Sequence, residues 1–325
     1  MKDVVKIRNK VKNSFGVFLL FLCILCGCQG KQQGEEPLIS VTIEPQRYFV
    51  ERIGGERFKV NCVVPSGQSP ETYDPTPQEM VRLGKSVAYF QVGHIGFELA
   101  WMKKIQENNP QLKLFDLSEG MNIIKDEKEE EGHDHEFEGG HDHKQDSSAE
   151  EGEPSFHHHH PGGIDPHIWS SIQGGKVIAL NTLNALIALE PDQEAYFKAN
   201  YERVLSEIEE TEKTIRTLLE PLRGQAFIIY HPSLTYFAME NGLVQLCIEM
   251  DGKEPSPGQL EELVRTAKEA HARVVFIQKE FDRKNAELIA KEVGCRLVQI
   301  NPLAYDWKAE MIHIAKTLAE NGKAD

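Results

Sequence analysis

Short runs of apolar and β-branched residues recur at Leu38 to Ile43, Phe58 to Val64, Ser86 to Val92 and Lys113 to Leu117. A second set follows at Ala226 to Tyr230, Val244 to Ile248, Arg273 to Gln278 and Arg296 to Ile300. Between most of them lie stretches with helical apolar spacing, among them Gly96 to Glu107, Pro257 to Ala270 and Arg283 to Val293. Strands alternating with helices predict parallel sheets, because neighbouring parallel strands need a crossover long enough to hold a helix. Four strands on either side of a central break predict two similar lobes.

The break itself is helical. Gln173 to Glu190 is followed by Pro191, a suitable first helical residue, and then by Asp192 to Glu220, with apolar positions at Tyr196, Phe197, Tyr201, Val204, Leu205, Ile208, Ile215 and Leu218. Those 29 residues would span about 43 Å, with no internal Pro or Gly to interrupt them. The expected fold class is therefore α/β, with two Rossmann-like lobes of parallel sheet joined by a long rigid helix. The expected boundaries are 38–172 for the first lobe, 173–222 for the linking helices and 223–325 for the second lobe.

The amino-terminal pattern is of another kind. Lys2, Lys6, Arg8, Lys10 and Lys12 precede an apolar run from Phe15 to Cys26, which is shorter than the ~20 residues a membrane-spanning helix needs. An export signal over residues 1–27 is expected. Leu25-Cys26-Gly27-Cys28 resembles a bacterial lipobox, with Cys28 as the lipidated residue and polar residues 28–37 as a tether. This places the folded part outside the cytoplasm on a lipid anchor. Cys62, Cys247 and Cys295 then remain, an odd number without C-x-x-C spacing, so neither a thiolate zinc site nor a redox motif is expected and at most one disulfide.

Composition changes the picture through its distribution. The 325 residues are 40% hydrophobic, enough for two cores, and 36 Lys and Arg against 51 Asp and Glu give −15. That balance argues against a partner made of nucleic acid, which requires a positive face. Residues 121–163 hold 13 acids, three lysines and eight of the 13 histidines. From 126 to 160 almost nothing is apolar, so a disordered insertion in the first lobe is expected. His133, His135, His141, His143 and His157, His158, His159 and His160 lie there among carboxylates, a mixture suited to loose capture of zinc and neighbouring transition metals.

Five histidines lie outside that segment. His271 and His313 fall in polar helical stretches and are expected at the surface. His231 ends Phe227-Ile228-Ile229-Tyr230, at the carboxyl end of a strand, where open α/β sheets bind ligands. His167 lies in Asp165-Pro166-His167-Ile168-Trp169, ahead of the linking helices, and His94 follows the strand ending at Val92-Gly93. Each is compatible with a core or turn histidine; their shared placement favours one cleft.

At this point the chain resembles the zinc- and manganese-binding solute receptors of bacterial ABC transporters, the ZnuA-like cluster A-I family, over about residues 38–320. The resemblance rests on Val64-Pro65-Ser66-Gly67, the run from Ser69 to Pro77, Asp165 to Trp169, Tyr230-His231-Pro232-Ser233 through Tyr236-Phe237, Glu254-Pro255-Ser256-Pro257 and Asn301-Pro302-Leu303. It implies His167 and His231 as metal ligands. The position of the first ligand, a histidine in the family pattern, is Glu71 here, and the fourth, often a carboxylate, is Asn301; His94 is a candidate to compensate. The implied cargo is one divalent ion, zinc ahead of manganese or iron, and the implied partners are a membrane permease and its ATPase.

The expected protein is thus a monomeric, lipid-anchored metal receptor and not an enzyme. Two rivals stand beside it: a surface lipoprotein that buffers metal or adheres without a transporter, and a secreted metallohydrolase. The second would need an open metal position and a general base, and neither H-E-x-x-H nor a phosphate loop or nucleophile elbow occurs. Its plausible acids are Glu71 and Glu280.

Overall fold

The structure, a computed structural model, describes residues 36–125, 163–249 and 252–322. The export signal, Cys28 and the eight histidines from His133 to His160 lie outside the described residues. The described residues from Pro37 onward form one compact unit.

The first sheet is built from β1 (Leu38–Val41), β2 (Lys59–Cys62), β3 (Ala88–Gln91) and β4 (Lys113–Asp116), ordered β2-β1-β3-β4. The second uses β5 (Ala226–Ile229), β6 (Val244–Cys247), β7 (Val274–Gln278) and β8 (Arg296–Ile300), ordered β6-β5-β7-β8. Every pairing is parallel, so the alternating pattern and the repeated topology agree with the sequence. Both faces of the second sheet are covered, and its side chains divide with the strand period of two. Phe227 and Ile229 belong to one hydrophobic core, while Ala226, Ile228 and Tyr230 belong to another.

Helices α1 (Glu44–Gly54), α2 (Pro77–Leu83) and α3 (Gly96–Asn108) connect the first sheet. In the second lobe α6 (Thr235–Asn241), α7 (Pro257–Glu269) and α8 (Lys284–Val293) do the same, and α9 (Trp307–Gly322) closes the chain. The break is α4 (Ile172–Leu189) and α5 (Glu194–Leu219). Pro191 opens a 3₁₀ turn rather than the helix, and another follows at Glu220–Leu222, so α5 has 26 residues and spans about 39 Å. It buries Phe197, Asn200, Val204, Ile208, Thr211, Ile215 and Leu219, one stripe at helical spacing. Tyr196 lies outside that stripe and is 43% exposed.

That stripe packs against α4, against α1 of the first lobe and against α9 of the second. One hydrophobic core consequently runs from Phe49 and Phe90 through Ile208 to Phe276 and Trp307. Trp307 also donates from Nε1 to the carbonyl of Trp169 at 2.5 Å, and Tyr305 donates to Glu51 of α1 at 2.7 Å. Cys62, Cys247 and Cys295 are all free thiols.

Candidate metal centre

The loops that leave the strands supply most of the cleft. Glu71 lies in the long connection after β2, His231 two residues beyond β5, Glu280 two beyond β7, and Pro302 and Leu303 just after β8. His167 comes from a different element, the start of a short 3₁₀ turn (Ile168–Ser170) that leads into α4. Together with Ser69, Pro70, Trp169, Ser233, Gln278 and Phe281 these residues line a cavity of about 30 Å³. That is room for a single water or ion, far below the hundreds of Å³ an organic ligand needs. A cavity of about 300 Å³ lies elsewhere, between α4, α5 and α6. Lys176 and Arg216 in its wall are engaged by Glu212, and Glu240 by backbone amides at the start of α4.

His167 is 3% exposed. One oxygen of Asp165 lies 2.9 Å from its backbone N–H and 2.8 Å from Nδ1. His231 is oriented in the same way by Glu249, whose Oε2 is 3.1 Å from its Nδ1. Gln278 holds the backbone of His231, accepting from its N–H and donating to its carbonyl, and also donates to the Ser233 hydroxyl; the Phe281 ring stacks on the imidazole at 5.3 Å. An ionised carboxylate accepts hydrogen bonds only, so this network places the hydrogen on Nδ1 of each ring.

The consequence is geometric. The two Nε2 atoms face each other at 3.2 Å, each presenting a lone pair. Two lone pairs at that distance repel unless a proton or a metal ion lies between them. Nitrogens bound to one tetrahedral zinc at ~2.0–2.1 Å stand about 3.3 Å apart. The carboxylate partners on the far side of each ring are the second layer that metal-binding histidines ordinarily carry.

Glu71 approaches from the first lobe. Its Oε2 accepts from the N–H of Gly96 at the start of α3, at 3.0 Å, where the helix terminus favours negative charge. Its Oε1 is buried without a hydrogen-bond partner. Gly96 is dictated by that approach, since a Cβ there would lie 2.2 Å from the Glu71 carbonyl oxygen. Glu280 Oε1, in the same cavity, is also buried and unpartnered. Burial pushes the Glu280 carboxyl above its ordinary range, with its own backbone N–H and then Lys279 and His231 pulling it back.

The structure brings Glu71, His167 and His231 to one cavity and leaves two other sequence candidates outside its lining. His94 is half-buried in the loop between β3 and α3. Asn301 precedes the lining residues Pro302 and Leu303; its backbone N–H is held by Glu310 at 2.7 Å and its Oδ1 is buried without a partner. His313 is exposed on α9, as expected. His271 is exposed too, but it sits beyond the end of α7 with φ 52°, where the chain turns toward β7. Sequence reasoning offered Glu280 only as an acid for the metallohydrolase rival, not as a metal ligand, and gave Asp165 and Glu249 no role. Their signal was placement: Asp165 two residues before His167, and Glu249 and Glu280 each two residues past a strand end. Among the described residues, no three His, Cys, Asp or Glu side chains are yet gathered closely enough to hold an ion.

Residues 39–321 match the family described as zinc-uptake complex component A, periplasmic. The chain belongs to this family. The high-affinity zinc uptake system protein ZnuA of Bacillus subtilis is 24% identical across 89% of this chain and 88% of its own length. The iron ABC transporter substrate-binding lipoprotein MtsA of Streptococcus pyogenes serotype M6 is 22% identical across 88% of this chain and 87% of its own. A solved structure of a zinc-bound ZnuA carrying a deletion of its residues 138–173 superposes with a TM-score of 0.75 and 33% identity, covering 90% of this chain and all of that one. The α/β fold of two parallel four-stranded sheets is thus the fold of metal-transport solute receptors.

Proposed function

We propose that this protein is the extracytoplasmic receptor of a divalent-metal ABC transporter, binding one ion, zinc foremost, in the cleft and passing it to a membrane permease driven by an ATPase. The observation that carries the reading is the pair of imidazole Nε2 atoms 3.2 Å apart in a cavity with the volume of an ion. His167, His231 and Glu71 are its donors. Asp165 and Glu249 keep the two rings in the tautomer that points a lone pair at the ion. Cys28 carries the lipid anchor, the histidine-rich stretch captures ions loosely from the surroundings, and the receptor works as a monomer without catalytic chemistry.

Replacing His167 and His231 together with Ala should abolish tight one-to-one zinc binding in a competition titration while loose, multiple binding by the histidine-rich stretch persists. Retention of the tight site would refute the assignment. A second reading, a manganese or iron receptor of the same construction, is favoured by Glu71 standing where the family pattern has a histidine, because oxygen donors suit harder ions, and by the iron-named relative. Metal analysis of untagged protein, followed by competition among zinc, manganese and iron, separates the two.

A further inference from the structure

Glu280 has no role in the motif pattern and is not used by the reading above. It lies in the turn after β7 that brings Phe281 onto the His231 ring, and it lines the same cavity as Glu71, His167 and His231. Its Oε1 is removed from solvent and has no donor. Such an oxygen is costly to bury unless something positive answers it. Glu71 Oε1 is in the same condition in the same cavity, so the cleft holds two opposed imidazole nitrogens and two unanswered carboxylate oxygens.

The alternative fourth donor is Asn301. Its Oδ1 is also unpartnered, but the residue is not part of the cavity lining, and Glu310 holds its backbone N–H.

We infer that Glu280, not Asn301, supplies the fourth donor, so that each lobe contributes one imidazole and one carboxylate: His167 with Glu71, and His231 with Glu280. This rests on the metal-receptor reading. The donors are not yet gathered as they stand, so loading draws the Glu280 and Glu71 side chains in toward the preset histidine pair. Asp165 and Glu249 hold the two histidines meanwhile.

The test measures Zn²⁺ affinity by competition with a chromophoric chelator, and the visible spectrum of Co²⁺ bound in place of zinc, for the full chain and for Glu280→Gln, Asn301→Ala and His167→Ala. Glu280→Gln should weaken zinc binding tenfold or more, since even outer-layer changes cost about 10–100-fold, and should alter the cobalt spectrum. Asn301→Ala should leave both close to wild type. A zinc-bound crystal structure of the unaltered protein should show Glu280 on the ion, which keeps the test open if Glu280→Gln fails to fold. Wild-type affinity and spectrum in Glu280→Gln, an equal loss in Asn301→Ala, or a zinc-bound structure with Glu280 away from the ion overturns the inference. If the unaltered chain has no tight site, or His167→Ala keeps it, the metal-receptor reading fails instead.

Discussion

At the scale of single residues, the cleft is organised by the groups behind the two imidazoles as much as by the imidazoles themselves. Asp165 accepts from two N–H groups of His167, which fixes both the backbone turn and the ring. Asp165→Asn weakens that acceptor and releases the tautomer, so zinc affinity should fall about 10–100-fold while the melting temperature of the metal-free protein changes little. A titration showing unchanged affinity would mean the ring is held by packing against Trp169, 5.1 Å away, rather than by the carboxylate. His167 and His231 were legible in the sequence because one closes a buried strand and both stand in recognisable motifs. The part proposed for Glu280 was not, because it rests on a buried oxygen without a partner, and burial and partnering are properties of the folded chain. Asn301 is eligible by its motif position, while the chain presents Pro302 and Leu303 beside it to the cavity.

At the scale of elements, helix ends position the site. The start of α3 receives the Glu71 carboxylate, and the first residue of that helix is the glycine that permits the contact. Gly96→Ala places a methyl group into the Glu71 backbone and should cost about 1–3 kcal/mol, as overpacking does, together with part of the zinc affinity. Gly258→Ala in α7 meets nothing within 4 Å and should be neutral or slightly stabilising in the same thermal melts. Equal behaviour of the two variants would show that the Glu71 loop yields freely. All eight strands were legible, since apolar runs of strand length flanked by helical spacing admit few alternatives. Helix ends were less so: Pro191 suits a first helical position, yet here it begins a 3₁₀ turn before α5. His271 reads as helical by its neighbours, but α7 has already ended two residues before it and the backbone turns at a positive φ.

At the scale of the whole molecule, α5 and the shared core tie the two lobes together. Phe49 of the first lobe packs against Trp307 of the second at 5.4 Å, and Trp307 fills the space beside Gly175 of α4. A wide hinge would have to open this core, so small-angle scattering curves of metal-free and zinc-loaded protein should superimpose; a large interlobe rotation would contradict the spine. The spine was foreseeable from an uninterrupted apolar stripe, whereas the fusion of the two cores was not, because it depends on which faces meet across the lobes. The cleft, at about 30 Å³, is matched to a bare ion and not to an ion inside a small organic chelator, so occupancy should follow the free-ion concentration: adding a soluble chelator at constant total zinc should empty the site in proportion to the free zinc it removes, and unchanged occupancy would contradict this.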